Sequence, residues 1–175
     1  VYDADKLNGN LVMRKAKNGE KCKTLDEKEY ELSNEMVVIS DDTKLHGIGG
    51  VMGGLESGCS LETSKVFLEV ALFDPISITK TGRKLNLQSD ARYRFERGID
   101  YTSIEWGVDI ATKMILELCG GDVSEIVCDK IEDPELKIIK FNTHLIESYG
   151  GINIEIKKQI KILNTLGFKV KTQNN

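Results

Sequence analysis

Six glycines lie within the thirteen residues 46–58 (HGIGGVMGGLESG), although the chain of 175 residues has only 16 glycines. Glycine loses more conformational entropy on folding than any other residue, so this cluster indicates special dihedral angles or close approach to the main chain. The familiar phosphate-binding motifs fail here. A dinucleotide fingerprint needs glycine where Met52 stands, and a P-loop needs lysine where Leu55 stands. The stretch therefore predicts a glycine-lined cleft without either nucleotide motif.

Composition limits the class of protein. Hydrophobic residues make up 40% and charged residues 30% of the chain, which is typical of a soluble globular protein of one domain, or one domain and part of another. The net charge of −4 means that any contact with nucleic acid needs a local basic patch. The four cysteines are widely spaced, which favours thiols in a reducing compartment over disulfides or a zinc site.

Targeting signals are not evident in the sequence. There is no signal peptide and no long apolar run, so we expect a cytoplasmic protein with no membrane partner. The chain starts at Val1 without methionine, and its C-terminal residues stop just after a predicted strand. We therefore expect a piece of a longer protein.

Short apolar or alternating runs predict strands at residues 11–16, 36–39 and 66–71. Asp74 followed by Pro75 predicts the start of a helix. Apolar residues at spacings of three and four predict a second helix over residues 102–119, with a capping box at its start and a glycine stop at its end. The stripe consists of Ile104, Val108, Ala111, Ile115 and Leu118.

An acidic segment that contains Pro134 is typical of a linker, and we place a domain boundary near residue 134. Beyond it the sequence predicts a strand over 137–142, a short helix opening at 143, a helix over 153–166 and a strand over 168–171. The predicted fold class is α+β. A domain of layered sheet and helices over 1–134 precedes a partial helix-rich module over 135–175.

Glu69 interrupts an otherwise apolar run, FLEVAL. Burying a carboxylate costs several kcal/mol unless it is paired or hydrogen-bonded. Strand alternation with Leu68 and Val70 favours the solvent face for Glu69, and the alternative is a carboxylate inside a pocket. Spacing alone leaves both interpretations open.

The run RYRFER over residues 92–97 interleaves cations with aromatic rings. Arg92, Arg94 and Arg97 could contact phosphates of nucleic acid while the aromatic rings stack on bases. The run is equally typical of a half-buried strand or a local Arg–Glu network. His46 and His144 have no evident partner in the sequence and are expected to be structural.

Three segments together resemble the B3/B4 editing module of the bacterial phenylalanyl-tRNA synthetase β subunit family. They are GIGGVMGG (47–54), ETSKVFLEVALFDPISI (62–78) and SDARYRFERGID (89–100). From about residue 136 the chain is similar to the start of the next module, B5, including LNTLGF (163–168). The resemblance implies a B3/B4 module truncated at its N-terminus, followed by a partial B5 module.

The resemblance implies a part of phenylalanine–tRNA ligase that hydrolyses tRNA(Phe) mischarged with tyrosine. In that family the α subunit performs aminoacylation with ATP and magnesium, and the subunits form an α2β2 heterotetramer that binds tRNA(Phe). No cofactor or metal site is expected in this chain. The alternatives are a non-catalytic scaffold that holds tRNA or the α subunit, and a binding domain unrelated to a synthetase.

The resemblance also assigns residues. It places Glu69 where a carboxylate recognises the tyrosine hydroxyl, which favours the pocket over the solvent face. Gly50 and Gly53 would line the pocket, and Ser89 and Ala91 match two further pocket positions. It assigns no catalytic residue.

Overall fold

The computed structural model describes residues 1–128 and 137–172. The chain divides into two compact units, residues 1–129 and 130–175. The predicted boundary near residue 134 lies outside the described residues and stays a prediction. The mixture of antiparallel sheets and helices confirms the α+β class.

The first unit has eight short strands, three α-helices and one short 3-10 helix (Ala4–Lys6) among its described residues. The strands are β1 (Tyr2–Asp3), β2 (Val12–Lys15), β3 (Lys21–Lys23), β4 (Glu29–Glu31), β5 (Val37–Ser40), β6 (Leu45–Ile48), β7 (Met52–Gly53) and β8 (Val66–Phe67). The helices are α1 (Pro75–Lys84), α2 (Asp90–Phe95) and α3 (Ser103–Cys119).

The central sheet has the antiparallel order β2-β5-β6-β7, while β1 pairs with β8 and β3 pairs with β4. The strands predicted at 11–16 and 36–39 are confirmed as β2 and β5. The buried apolar cluster draws on β3, β5, β6 and α1, together with the turns that join them. Its members are Ala16, Cys22, Leu32, Met36, Val38, Ile48, Val51, Ile78 and Leu87.

The glycine stretch forms the tight β6–β7 hairpin, in which Gly47 stands opposite Gly53. A Cβ on Gly54 would lie 2.8 Å from the carbonyl oxygen of His46, so the main chains approach too closely for a side chain. At the turn, a Cβ on Gly49 would lie 2.7 Å from the ring of Phe73. The missing side chains therefore permit close packing of the hairpin.

Asp74 begins α1 as predicted, and its Oδ2 accepts a hydrogen bond from the Ser77 amide at 2.7 Å. The α3 helix is also confirmed, and it stops at Gly120 with a positive φ of 74°. The predicted capping box is wrong. The Thr102 side chain does not cap the helix, because its hydroxyl donates to Asp100 Oδ1 at 2.7 Å instead.

The predicted apolar stripe of α3 is only partly covered. No residue of this helix, which the structure describes in full, is buried within the chain. Leu118 is 80% exposed, whereas the other four residues of the predicted stripe are half-buried.

The strand predicted over residues 66–71 is largely wrong, because β8 ends at Phe67. Among the described strands it pairs with the two-residue β1, with Tyr2 opposite Phe67 and Asp3 opposite Val66. Glu69 therefore follows the strand and does not lie within it.

The second unit contains α4 (Leu145–Gly150) and α5 (Ile156–Thr165) among its described residues. Both helices were predicted, with boundaries within about three residues, and Gly167 follows α5 with φ of 89°. The strands predicted over 137–142 and 168–171 are wrong, since these described residues have no regular structure. Gln159, which is buried, donates to the carbonyl of Ile154 at 2.7 Å.

Candidate functional site

Glu69 is half-buried, and its Oε2 accepts a hydrogen bond from the Tyr2 hydroxyl at 2.5 Å. Tyr2 is opposite Phe67 in the β1–β8 pair, so Glu69 follows two residues after the partner of Tyr2. The β1–β8 pair therefore brings the phenol within reach of the carboxylate. The carboxylate therefore has an internal hydrogen-bond donor and does not simply face solvent.

The Tyr2 ring, which is 7% exposed, is held by two other rings. Phe67 lies 6.4 Å from it between ring centroids, and His46 lies 6.1 Å from it in an edge-to-face arrangement. His46 is itself fixed, because its Nε2 lies 2.7 Å from Asp41 Oδ2 and both side chains are fully buried. The structure thus gives His46 an acidic partner that the sequence did not reveal.

Asp41 also accepts hydrogen bonds at about 2.8 Å from the backbone amides of Asn8, Thr43 and Lys44. Burial alone would raise the pKa of Asp41, but the hydrogen bonds from His46 and these amides outweigh it and hold the pKa well below its usual range. Asp41 is therefore an ionised carboxylate at neutral pH.

Burial raises the pKa of the Tyr2 phenol, and the hydrogen bond to Glu69 and the charge of that carboxylate raise it further. The phenol therefore stays protonated across the physiological range. Tyr2 is the donor and Glu69 the acceptor in the hydrogen bond between them.

The run RYRFER belongs mainly to helix α2, so its interpretation as a strand is wrong. Ser89 is the N-cap, and its Oγ accepts a hydrogen bond from the Arg92 amide at 3.0 Å. The same hydroxyl donates to the carbonyl oxygen of Val51 in the turn of the glycine hairpin. Ala91, half-buried, lies in the first turn of α2.

Arg92 is buried and internally paired. Its Nε donates to Glu96 Oε2 at 3.0 Å and its Nη1 donates to the Leu87 carbonyl at 2.7 Å. The alternative of a local Arg–Glu network is therefore confirmed for Arg92, and this guanidinium is not presented to a ligand at the surface. Gly82 makes room for it, because a Cβ there would lie 2.2 Å from Arg92 Nε.

Arg94 and Arg97 are exposed. The guanidinium of Arg97 lies 3.7 Å above the ring of Tyr93 and also contacts Glu96 at 3.0 Å. One cationic run thus provides one structural arginine and two surface arginines. Helical geometry turns Arg92 toward Gly82 of α1 and leaves Arg94 outward, whereas Arg97 follows the C-cap residue Glu96.

The described contacts join the predicted pocket residues through the glycine hairpin. Ser89 binds Val51, which lies between Gly50 and Gly53 in the chain. On strand β6, the His46 carbonyl accepts a hydrogen bond from the Gly54 amide at 2.7 Å. The His46 ring contacts the ring of Tyr2, whose hydroxyl donates to Glu69. The hairpin is therefore the element shared by both halves of the candidate site.

Gly50 and Gly53 each lie against apolar side chains, and their role in lining a pocket stays a prediction. Gly50 has a φ of 67°, and a Cβ there would lie 2.7 Å from Ile78 and 2.9 Å from Phe73. At Gly53 a Cβ would meet Leu25 at 3.2 Å. Two surface depressions, one along α3 and one beside α1, include none of the five predicted pocket residues.

Within residues 1–128 and 137–172, the structure has no group of three His, Cys, Asp or Glu side chains placed to hold a metal ion. In the same ranges, no helix combines the length and the apolar character needed to cross a membrane.

The sequence profile of the B3/4 domain matches residues 1–120, which covers the glycine hairpin, Glu69 and helices α1 to α3. The chain belongs to the B3/4 domain family. The resemblance noted from the sequence motifs is thereby confirmed.

Several relatives of this B3/4 chain bear the name phenylalanine–tRNA ligase beta subunit. The protein from Novosphingobium aromaticivorans is 48% identical over 97% of this chain, and that from Wolbachia of Brugia malayi is 43% identical over 100% of it. The protein from Rhodopseudomonas palustris is 44% identical over 97% of this chain. The chain spans about a fifth of the length of these relatives, from 21% to 22%.

Sequence reasoning identified Glu69 and Ser89 but missed Tyr2 and Asp41. Tyr2 and Glu69 are 67 positions apart, and no periodicity connects residues at that separation. A usable signal existed only for Asp41, because an aspartate followed by Thr43 is typical of a turn in which the carboxylate accepts local amide hydrogen bonds.

Gly82→Ala should lower the free energy of unfolding by about 1–3 kcal/mol, the usual cost of forcing extra atoms into a packed site. The new methyl would displace Arg92 from its hydrogen bonds to Glu96 and Leu87. Urea denaturation monitored by circular dichroism measures the change.

The matched control is Gly107→Ala on helix α3, where the new Cβ would lie 3.8 Å from Val70 in ordinary contact. This variant should be more stable by about 0.5–1 kcal/mol, because alanine has the higher helix propensity. Equal stability of the two variants would contradict the packing described for Arg92.

Proposed function

We propose that this chain is the editing module of a phenylalanine–tRNA ligase β subunit and hydrolyses tyrosyl-tRNA(Phe). One observation carries the proposal: Glu69 already accepts a hydrogen bond from a phenol hydroxyl, that of Tyr2. A carboxylate placed to bind one phenol can bind the hydroxyl that distinguishes tyrosine from phenylalanine. Membership of the B3/4 family and the names of the relatives support the same function.

The chemistry of discrimination explains why a second site is useful. A hydrophobic pocket built for phenylalanine cannot strongly reject an analogue that merely adds a hydroxyl. A site with a buried acceptor selects that hydroxyl, because phenylalanine would leave the acceptor unpaired. Glu69 is the acceptor in this proposal.

The reaction is the addition of water across the aminoacyl ester. The carbonyl carbon gains a bond to the water oxygen, its bond to the ribose oxygen breaks, and a proton is transferred to that oxygen. The products are free tyrosine and tRNA with a free 3′-terminal hydroxyl. Positioning of the ester beside the glycine hairpin would supply most of the rate enhancement, and no side chain is assigned as a general base.

The properties of the whole protein are part of the proposal. The relatives named as beta subunits imply an α subunit as partner and tRNA as substrate, and we propose an α2β2 heterotetramer in the cytoplasm. Aminoacylation with ATP and magnesium would take place on the α subunit.

A non-catalytic scaffold is the second candidate. It is favoured by the packing of Gly50 against Phe73 and Ile78, because a glycine used for packing leaves no space for a ligand on that side. The two candidates differ in whether Glu69 affects hydrolysis.

Glu69→Ala in the intact synthetase should lower the rate of tyrosyl-tRNA(Phe) deacylation by about ten- to a hundredfold, since a hydrogen bond to a charged group contributes about 1.5–3 kcal/mol. Glu69→Gln keeps an acceptor oxygen but loses the charge, so its rate should be intermediate. Phenylalanine charging should stay near normal. Deacylation of preformed tyrosyl-tRNA(Phe) and aminoacylation are measured in parallel.

The control is Glu62→Ala, which removes an exposed carboxylate from a nearby loop and should leave both activities unchanged. Deacylation that survives Glu69→Ala in a folded enzyme would favour the scaffold. A parallel fall in both activities would assign Glu69 a role in stability alone.

Contact with tRNA is proposed for Arg94 and Arg97, and not for Arg92, which is buried against Glu96. Charge reversal of Arg94 and Arg97 to glutamate should weaken tRNA binding and reduce the slope of log affinity against log salt. Reversal of Arg83, an exposed arginine near the end of α1, changes the net charge by the same amount as either single reversal and serves as control. Equal effects of reversal at Arg83 would point to net charge and not to a contact at α2.

A further inference from the structure

We propose that Tyr2 is a positioning residue that orients the Glu69 carboxylate and thereby sets the selectivity of the candidate site for a phenol. The inference rests on the proposed function, since it assigns how Glu69 is prepared for the substrate hydroxyl. It concerns a residue of the first strand, far from Glu69 in sequence.

The position of Tyr2 is set by the backbone on both sides. The β1–β8 pair places Tyr2 opposite Phe67. The next residue, Asp3, donates its amide to the Ser57 carbonyl at 2.9 Å, and its side chain accepts from the Thr63 hydroxyl at 2.7 Å. The strand therefore cannot slide without breaking contacts to two separate loops.

The ring of Tyr2 is fixed as well. His46 meets it edge to face, and the fully buried His46 ring is itself confined by the Asp41 carboxylate, which lies 2.7 Å from its Nε2. A tyrosine has only two rotatable side-chain bonds, so a ring held in this way points its hydroxyl in one direction. That direction ends at Glu69 Oε2.

Glu69 needs such a partner because it follows the end of β8 and has a long side chain. A free glutamate side chain loses up to about 2 kcal/mol of rotamer entropy when a ligand fixes it. Tyr2 fixes the side chain before a ligand arrives, which is preorganisation. The contact uses Oε2, and an ionised carboxylate can accept further hydrogen bonds, including at its other oxygen, Oε1.

The structure contains a matched pair for an experiment. Tyr30 donates its hydroxyl to Asp26 Oδ2 at 2.7 Å, which is the same kind of contact at the half-buried edge of the β3–β4 hairpin. Tyr2→Phe and Tyr30→Phe each remove one hydroxyl and keep the ring. Only Tyr2→Phe frees Glu69.

The experiment uses the full-length β subunit assembled with its α subunit and compares deacylation of tyrosyl-tRNA(Phe) and phenylalanyl-tRNA(Phe). Tyr2→Phe should lower kcat/KM for the tyrosyl ester by about three- to tenfold, mainly through a higher KM, because a neutral donor contributes about 0.5–1.5 kcal/mol. Deacylation of the phenylalanyl ester should not change, so selectivity falls. Tyr30→Phe should match the wild type on both esters.

The second arm repeats Tyr2→Phe in the Glu69→Ala background. A residue that acts through Glu69 has no further effect once the carboxylate is gone, so the two losses should not add. Equal losses in both backgrounds would show that Tyr2 acts through stability and would overturn the inference.

Two other outcomes would also overturn it. In the first, Tyr2→Phe keeps wild-type selectivity while Glu69→Ala loses editing. This result would show that Tyr2 does not position Glu69, and it would leave the proposed function intact. A lower KM for the tyrosyl ester would show that Tyr2 competes with the substrate for Glu69. The proposed function itself fails only if Glu69→Ala keeps full deacylation.

Discussion

The close approach of main chains in the β6–β7 hairpin is the constraint on which the candidate site depends. At Gly54 and Gly49 a side chain would collide with the His46 carbonyl or the Phe73 ring. From this hairpin the Val51 carbonyl receives the Ser89 hydroxyl, and the His46 ring contacts Tyr2. The glycine cluster thus brings α2 and the first strand to one element, although its members mainly serve packing.

Two buried charged side chains, Asp41 and Arg92, also organise the segments around the hairpin. Asp41 tolerates burial because three backbone amides donate hydrogen bonds to its carboxylate, which replaces the lost hydration, and His46 Nε2 lies 2.7 Å away. Arg92 is stabilised in the same way by Glu96 and a carbonyl. Removing one partner from such a group costs more than the hydrogen bond contributes, because an uncompensated charge remains buried. These two groups therefore specify how the segments around the hairpin meet.

Local signals in the sequence were sufficient to predict several features of the fold. Asp74 begins α1 and Gly120 ends α3, because capping depends on neighbouring residues and on the conformational freedom of glycine. Motif resemblance identified the family, and it selected Glu69 where alternation could not. The strand over 66–71 was overpredicted because strand pairing is set by contacts between distant segments, here between β8 and β1. The position of Tyr2 beside Glu69 was not predictable for the same reason.

The most direct measurement is a crystal structure of the full-length synthetase soaked with tyrosine, with phenylalanine as the matched ligand. We expect tyrosine to bind with its ring hydroxyl within hydrogen-bonding distance of Glu69, while Tyr2 keeps its own contact with that carboxylate. Phenylalanine at the same concentration should be absent from this position. Two results would contradict the assignment of Glu69 as the group that selects the phenol. One is tyrosine bound elsewhere while packed side chains still cover Glu69. The other is equal occupancy of the position by phenylalanine.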